Sequence, residues 1–429
     1  MKQIYPARLK KALSLLKDSK QREVLVLSSN PQVVRSRDTH FPFRQNSDLY
    51  YFTGSYAPNT TLVLRPESKD PIVLLVYPED RVKTVWEGAR PPIKPLAKLL
   101  KAEVITSTDH VKSLLGLLKG SDLAYLQSTH GTASAAIKRE LSERSSHATR
   151  GLPHTLVEAE RFTARLRAFK DPSEIALIRN AAELTSGALM NLLPLLRSGV
   201  NEHEIGTFID YFYRINGAEP AFSTIVAAGK SAATLHYHAL NRTLKDGELL
   251  LIDTGCELDM YASDVTRTIP IGESVAPQLR DLYDIVLRAQ QLAIKQIRPG
   301  VQISSVFDVA ARELTHGLKY LGVLKGTVPQ LLKKLAYHPF FPHGIGHSLG
   351  IDVHDVAPGN NDKLACLEQG MVITIEPGLY FSKPIGPLPA CGVRIEDDVL
   401  VTEKGSEVLT AGVFPKGFDH VFEMVNSSR

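Results

Sequence analysis

The 429-residue sequence has few cysteines, little net charge and no long apolar run. Its cysteines, Cys256, Cys366 and Cys391, form no C-x-x-C pair and no disulfide framework, which favours a reducing compartment. A formal charge of +4 on so long a chain gives no reason to expect nucleic-acid or membrane partners. No stretch approaches the ~18 apolar residues of a membrane helix, and nothing reads as a signal peptide. We therefore expect a soluble, cytoplasmic protein.

The chain is long enough for two or three domains. Short apolar strands alternate with helical patterns up to about residue 141, which predicts an α/β N-terminal domain. The aromatic, turn-rich segment 40–54 is expected to be irregular. The polar segment 142–155, with glycine and proline, is the best linker candidate. It divides the chain into predicted domains 1–155 and 156–429.

Two features mark the start of the second domain. Asp171, Pro172 and Glu174 have the spacing of a helix N-terminus, with an aspartate cap, proline in the first turn and a glutamate three residues after the cap. Segments 196–200 and 297–301 resemble each other, and each follows a long helical pattern. They are either ordinary helix stops or traces of a duplication, which would give two similar halves with a site between them.

The rest of the chain is organised around residues 249–268, LLLIDTGCELDMYASDVTRT. Asp253 ends an apolar run typical of a buried strand, and Asp264 follows eleven positions later. A hairpin of that size can bring the two carboxylates side by side. Without a partner they would repel each other and one would take up a proton, whereas a metal ion removes the conflict. D-T-G is also the aspartic-protease signature, but that enzyme class needs a second copy, which this chain lacks.

Three more apolar runs of the C-terminal third carry polar residues that could bind a metal. They are residues 340–355 with three histidines, 370–380 with Glu376 after a strand, and 392–400 with Glu396 inside a strand. Four carboxylates and one imidazole suit Mn²⁺ or a similar hard ion, and they can bridge two ions ~3.5–4 Å apart. Each residue alone has an ordinary explanation as a turn cap or a core group. The candidate ligands are Asp253, Asp264, His347, Glu376 and Glu396.

Five segments in this order, LLLIDTGCE, YASDVTRT, FFPHGIGHSLGIDVHD, GMVITIEPGLY and GVRIEDD, resemble the pita-bread metallopeptidases. Within them, FPFRQNSDLYYFTG (41–54) resembles the N-terminal domain of the aminopeptidase P family. Methionine aminopeptidases lack that domain, and creatinases lack the metal ligands. The resemblance implies an α/β (α+β) protein with an N-terminal creatinase/aminopeptidase P-type domain and a C-terminal pita-bread catalytic domain.

The resemblance also implies a role for each ligand. Asp264 and Glu396 would bridge two divalent ions, expected to be Mn²⁺, with Zn²⁺ or Co²⁺ as other options. Asp253 would complete the coordination of one ion, and His347 with Glu376 that of the other. A hydroxide between the ions would be the nucleophile, and Glu376 would shuttle its proton.

Further site residues follow from the same resemblance. His343 and His354 would line the site and hold the scissile carbonyl or the tetrahedral intermediate, and His236, in LHYHALN, matches the family's other site histidine. Arg394 would contact a ligand carboxylate beside the substrate. Trp86, the single tryptophan, is either a core residue or part of a loop that projects toward a neighbouring subunit's site in a homo-oligomeric dimer or tetramer.

The activity implied is release of the N-terminal residue from peptides with proline in second position. The bond before proline has no N–H, so an enzyme that holds the carbonyl and the free amine can cut it. Two alternatives remain, a prolidase restricted to Xaa-Pro dipeptides and an inactive pita-bread binding module. This chain has Phe222 where some close relatives carry tyrosine, so one hydroxyl near the site is absent.

Overall fold

The structure is a computed structural model that describes residues 3–129, 132–143, 151–357, 366–412 and 414–428. The chain divides into two compact units, Met1–Arg167 and Ala168–Arg429. Half of the expected linker, residues 144–150, lies outside the described residues. The domain boundary at 155/156 therefore stays a prediction.

The first unit contains helices and strands in alternation, as its sequence predicts. Its helices are α1 (Ile4–Lys17), α2 (Ser47–Thr53), α3 (Arg81–Glu87), α4 (Ile93–Leu100), α5 (His110–Leu118), α6 (Ala133–Glu143) and α7 (Glu160–Arg167). Its strands are β1 (Glu23–Ser28), β2 (Val34–Ser36), β3 (Thr39–His40), β4 (Thr60–Leu64), β5 (Ile72–Val76), β6 (Glu103–Thr106), β7 (Leu123–Leu126) and β8 (Thr155–Glu158).

Six of these strands form one mixed sheet in the order β6-β5-β4-β1-β7-β8. The pairs β1–β7, β7–β8 and β5–β6 are parallel, and β1–β4 and β4–β5 are antiparallel. Strands β4 and β5 are buried along their whole length, which is why their sequences are continuous apolar runs without alternation.

The expectation of irregular structure over 40–54 is wrong for its second half, which forms α2. The Asn46 side chain caps the helix by accepting a hydrogen bond from the Leu49 N–H, and Gly54 ends it with φ 63°. Both are standard helix-end signals. The aromatic residues between them are buried, so packing rather than periodicity fixes this short helix.

The second unit holds all the candidate metal ligands. Its helices are α8 (Pro172–Leu192), α9 (Glu202–Ile215), α10 (Pro277–Ile294), α11 (Ile303–Tyr320), α12 (Val328–Lys333) and α13 (Phe418–Ser427), with 3-10 helices at Leu193–Leu195 and Gly229–Ala233. Its strands are β9 (Glu219–Pro220), β10 (Ile225–Ala228), β11 (Leu249–Thr254), β12 (Cys256–Leu258), β13 (Tyr261–Ala262), β14 (Val265–Pro270), β15 (Val372–Ile375), β16 (Gly378–Phe381), β17 (Cys391–Arg394), β18 (Asp397–Val401) and β19 (Ser406–Val408).

Short antiparallel sheets position the site. Two of them have three strands each, β10-β11-β14 and β15-β18-β19, and β16 pairs with β17. A further small sheet, β13-β12-β9, pairs the two strands of the connection between β11 and β14 with β9, which precedes β10 in the chain. Helices α10 and α11 share an apolar core with β15, β16 and β17.

The helix boundaries follow their sequence signals. Asp171 and Glu174 form the predicted capping box at the start of α8. Gly199 and Gly300, in the two similar segments, both have positive φ, at 92° and 85°. That backbone conformation favours glycine, so a helix stop alone explains the likeness, and the duplication stays a hypothesis.

One strand prediction is wrong. Residues 392–400 do not form a single strand: Ile395 and Glu396 separate β17 from β18, and these strands belong to different sheets. The break places Glu396 in the connection between the two strands rather than within a strand. Within the part of the chain that the structure describes, we find no helix with both the length and the apolar character needed to cross a membrane.

Candidate metal centre

Asp264, His347 and Glu396 form the centre of the site. Each offers one ligand atom, and these atoms lie within 4.8 Å of one another. Asp264 stands just before β14, Glu396 lies between β17 and β18, and His347 is in the loop before β15. The Glu396 N–H donates a 3.1 Å hydrogen bond to the Thr266 carbonyl, which ties the first two segments together.

Backbone contacts hold the loop of His347 against β15. The Thr374 N–H donates to the His347 carbonyl at 2.9 Å, and the Glu376 N–H to the Ile345 carbonyl at 2.9 Å. A Cβ on Gly346 would lie 1.8 Å from the Thr374 carbonyl oxygen. Only glycine permits this approach, which brings His347 beside Glu376.

The His347 ring presents one nitrogen to the acids. Its Nδ1 lies 3.1 Å from the Ser348 carbonyl, so Nδ1 carries the proton and donates it there. Its Nε2 is 3.5 Å from Asp264 Oδ2 and 3.6 Å from Glu376 Oε1. A neutral imidazole fixed in this tautomer is the usual form of a histidine metal ligand.

Asp253 completes the group from β11, where it lies opposite Thr266 of β14. Its Oδ2 accepts a 2.6 Å hydrogen bond from Arg394 Nη2. Its Oδ1 is buried and has no hydrogen-bond partner among the described residues. All five predicted ligands line one cavity of about 510 Å³.

The charge balance of this cavity fits a cation. Burial, followed by repulsion from the neighbouring carboxylates, raises the pKa of Asp264 and of Glu396 well above its ordinary value. Burial also raises the pKa of Glu376. Crowded carboxylates with an unpartnered buried oxygen need a positive group nearby. The oxygen-rich donor set therefore fits divalent metal ions.

The predicted histidines lie in the same cavity. His343 Nδ1 donates to the Gly344 carbonyl at 2.8 Å, so its Nε2 accepts from the Tyr380 hydroxyl, also at 2.8 Å. The His354 ring lies 4.2 Å from that of His347, and His236 lines the cavity wall. Burial, aided by nearby Arg394, lowers the pKa of His343 to about 4, and burial lowers that of His354.

Trp86 lies in the first unit, on α3, and its side chain is 83% exposed. The interpretation as a core residue is therefore wrong. None of the residues of α3 is buried, so this helix forms without burying its apolar face against the described part of the chain.

Two hydroxyls that orient the acids were not predicted from the sequence. Thr266 donates to Glu396 Oε2 at 2.6 Å and accepts from Arg394 Nε at 3.1 Å, and Tyr380 accepts from Arg394 Nη1 at 3.0 Å. Alternation along β14 places Thr266 on the same face as Asp264, which is a usable signal.

A buried acid behind the site was also missed. The Asp398 Oδ2 accepts a 3.2 Å hydrogen bond from the Asp264 N–H, and burial raises the pKa of Asp398 well above its ordinary value. Its position next to Asp397 on β18 gave no hint that it faces Asp264. Phe222, the residue without the hydroxyl, lines the cavity wall.

Comparisons with known proteins agree with this geometry. Residues 176–403 match metallopeptidase family M24, and residues 5–125 match the aminopeptidase P N-terminal domain. The Xaa-Pro aminopeptidase of Escherichia coli is 36% identical over 397 residues, 90% of each chain. The solved structure of Pseudomonas aeruginosa aminopeptidase PepP has a TM-score of 0.91 at 33% identity, covering 100% of this chain and 98% of that one.

A zinc-substituted Escherichia coli aminopeptidase P, solved in complex with product, superposes equally well, with a TM-score of 0.91 at 33% identity over 100% of this chain and 99% of that one. The expected fold class, an aminopeptidase P-type α/β domain followed by a pita-bread domain, is confirmed. This chain belongs to metallopeptidase family M24, in its aminopeptidase P branch.

Proposed function

We propose that this protein is a metal-dependent aminopeptidase that releases the first residue from peptides with proline in second position. The observation that carries the proposal is the convergence of four carboxylates and the Nε2 of His347 in one open cavity, next to histidines that are neutral at pH 7. The similarity to Xaa-Pro aminopeptidases over 90% of the chain supports the substrate class.

Two divalent ions, with Mn²⁺ as the first candidate, would be held by Asp253, Asp264, His347, Glu376 and Glu396. Four carboxylates exceed what one ion needs, and oxygen donors favour Mn²⁺ over softer ions. When bound, such ions polarise the scissile carbonyl and lower the pKa of a water molecule. Zn²⁺ and Co²⁺ are the other ions to test.

The chain's own residues position the peptide and move the proton. Glu376 Oε1 is oriented by the Thr374 hydroxyl at 3.3 Å and faces His347. It would accept the proton of the attacking water and deliver it to the proline nitrogen as the C–N bond breaks. The rate gain expected of such a positioned acid–base group is about 10²–10⁴-fold.

The three other histidines would have different tasks. Both ring nitrogens of His343 are engaged, with Gly344 and Tyr380, so His343 would hold the Tyr380 hydroxyl in place. His354 and His236 are then the residues to donate a hydrogen bond to the carbonyl oxygen as charge develops on it. The peptide bond before proline has no N–H that the enzyme could hold. Hydrogen bonds to its carbonyl oxygen would therefore position this bond for cleavage.

The proposal also covers the oligomeric state and the cellular location of the protein. The exposed Trp86 on α3 supports a homo-oligomer in which this helix meets another copy. Free cysteines, two of them buried, support the expected cytoplasmic location. Neither a dimer nor a tetramer is favoured by the fold of one chain, and light scattering on the purified protein would distinguish them.

Substrate length separates this activity from the prolidase alternative, which no observation favours. The protein should be incubated with Xaa-Pro-Yaa, Xaa-Pro and Xaa-Ala-Yaa peptides and the products identified by mass spectrometry. We expect the first residue to be released from Xaa-Pro-Yaa and not from Xaa-Ala-Yaa. Cleavage of the dipeptide alone would favour a prolidase, and cleavage of none would contradict the proposed activity and favour the binding module.

A further inference from the structure

His236 lies on a loop that lacks regular secondary structure around it. Residues 229–242 connect β10 toward β11, and after the 3-10 helix at Gly229–Ala233 they form neither helix nor strand. Leu235, His236 and His238 of this loop line the catalytic cavity. Something other than secondary structure must therefore fix the imidazole of His236.

A single buried carboxylate contacts this loop at three places. Glu202, the first residue of α9, is 0% exposed. Its Oε1 accepts a 2.8 Å hydrogen bond from the Ala228 N–H. Its Oε2 accepts one from the Arg242 N–H and one from the Tyr237 hydroxyl, both at 2.9 Å. Ala228 lies just before the loop, Arg242 lies at its end, and Tyr237 is directly beside His236.

The base of the loop is closed on both sides. The Glu202 N–H donates to the Arg242 carbonyl at 2.9 Å. The Arg242 guanidinium in turn donates to the Ala228 carbonyl and, at 2.9 Å, to Glu248 Oε1. The backbone N–H and carbonyl of Ala228 and of Arg242 are therefore all hydrogen-bonded at the base of the loop. In the middle of the loop, Tyr237 makes the contact to Glu202.

The Tyr237 ring packs against an apolar cluster, so its hydroxyl can be removed without opening a cavity. That cluster includes Ala227, Leu251 and Tyr380. The hydroxyl also lies 3.0 Å from the Asn241 side-chain carbonyl. The ring thus packs in this cluster, and its hydroxyl donates to Glu202 one residue from His236.

We infer that Glu202 is a positioning residue for the peptidase reaction, acting through Tyr237 to set the place of His236 at the substrate carbonyl. This inference rests on the proposed function. A carboxylate is required because three donors converge on it, and a glutamine would turn an N–H toward one of them. A displacement of about 1 Å in a substrate-contacting group can reduce the rate by about 10²-fold.

The test is a double-mutant cycle on Xaa-Pro-Yaa hydrolysis with Tyr237→Phe, His236→Ala and the double variant. We expect Tyr237→Phe to lower kcat/KM about tenfold, mainly through kcat, with unchanged metal content. In the His236→Ala background the same change should have almost no further effect. Tyr283→Phe is the control, because its hydroxyl likewise donates a part-buried hydrogen bond, to the Lys416 carbonyl at 2.8 Å, outside the site.

An equal loss of kcat/KM in both backgrounds would overturn the inference, since the hydroxyl would then act without His236. Wild-type activity in Tyr237→Phe would overturn it too. Amide hydrogen exchange gives a readout that needs no activity: Glu202→Gln should speed exchange across residues 229–242, and Tyr283→Phe should not. If the wild-type protein cleaves no Xaa-Pro-Yaa peptide, the proposed function fails, and unchanged exchange in Glu202→Gln would separately show that Glu202 does not hold the loop.

Discussion

Arg394 donates a 2.6 Å hydrogen bond from Nη2 to Oδ2 of Asp253, and both side chains are almost completely shielded from water. The guanidinium therefore acts as a fixed counter-ion at one oxygen of Asp253. Because the second oxygen, Oδ1, has no partner among the described residues, it remains available to a metal ion.

Replacing this counter-ion should cost stability in a metal-dependent way. Arg394→Met leaves Asp253 as an uncompensated buried charge, which typically costs about 3–5 kcal/mol. We predict this loss in urea unfolding of chelator-treated protein and a clearly smaller loss with Mn²⁺ added, since the ion offsets the same charge. Equal losses with and without metal would show that Asp253 does not face the ion.

Two glycines of the His347 loop give a matched pair of variants. A Cβ on Gly346 would lie 1.8 Å from the Thr374 carbonyl oxygen, whereas on Gly344 the nearest atoms are 4.0 Å away. We predict that Gly346→Ala separates His347 from Asp264 and abolishes both metal binding and activity. Gly344→Ala should bind metal like the wild type. Comparable calorimetric metal affinity in the two variants would disprove the backbone argument.

The stability of the metal-free protein should fall as the pH rises. The folded-state pKa values of Asp264, Glu376 and Glu396 are raised, so the folded state retains protons that the unfolded chain releases above about pH 4. This contribution is complete below about pH 4 and is lost as the pH rises through the folded-state values.

The measurement is the melting temperature of chelator-treated protein from about pH 5 to about pH 8. We predict a decline that Mn²⁺ flattens, and a shallower decline for Asp264→Asn, which removes one of the crowded acids. A flat profile in the metal-free wild type would mean that the acids are not crowded in solution.

The sequence indicated the candidate ligands because metal chemistry favours a few residue types, and these stand at the ends of apolar runs. Asp253 and Glu376 were placed correctly relative to their strands for this reason. Glu396 was assigned to a strand interior, because its apolar neighbours do not reveal that the chain changes sheets there.

The supporting residues could not be predicted in the same way. Tyr380 and Glu202 act through hydrogen bonds to residues far along the chain, for example the 2.9 Å bond between Tyr237 and Glu202. Such pairs depend on tertiary packing, and a common residue type with no fixed spacing carries no local signal. The helix α2 was missed because burial of its aromatic residues, not their period, stabilises it.

A buried ion pair beside His354 provides a stability test. Lys170 Nζ lies 3.0 Å from Asp355 Oδ2, and both side chains are 1% exposed. We predict that Lys170→Met destabilises the protein by about 3–5 kcal/mol, measured by urea unfolding. The exposed pair of Arg179 and Glu407 is the control, and Arg179→Met should cost at most about 1 kcal/mol. If Lys170→Met lost as little stability as Arg179→Met, the buried pair would not stabilise the fold.

The most direct test of the account is release of the first residue from an Xaa-Pro-Yaa peptide during titration of chelator-treated protein with Mn²⁺, with Asp264→Ala measured in parallel. We predict no activity without metal, recovery that is complete at two ions per chain, and neither full metal content nor activity in Asp264→Ala. Activity that survives chelation, or wild-type turnover in Asp264→Ala, would contradict it.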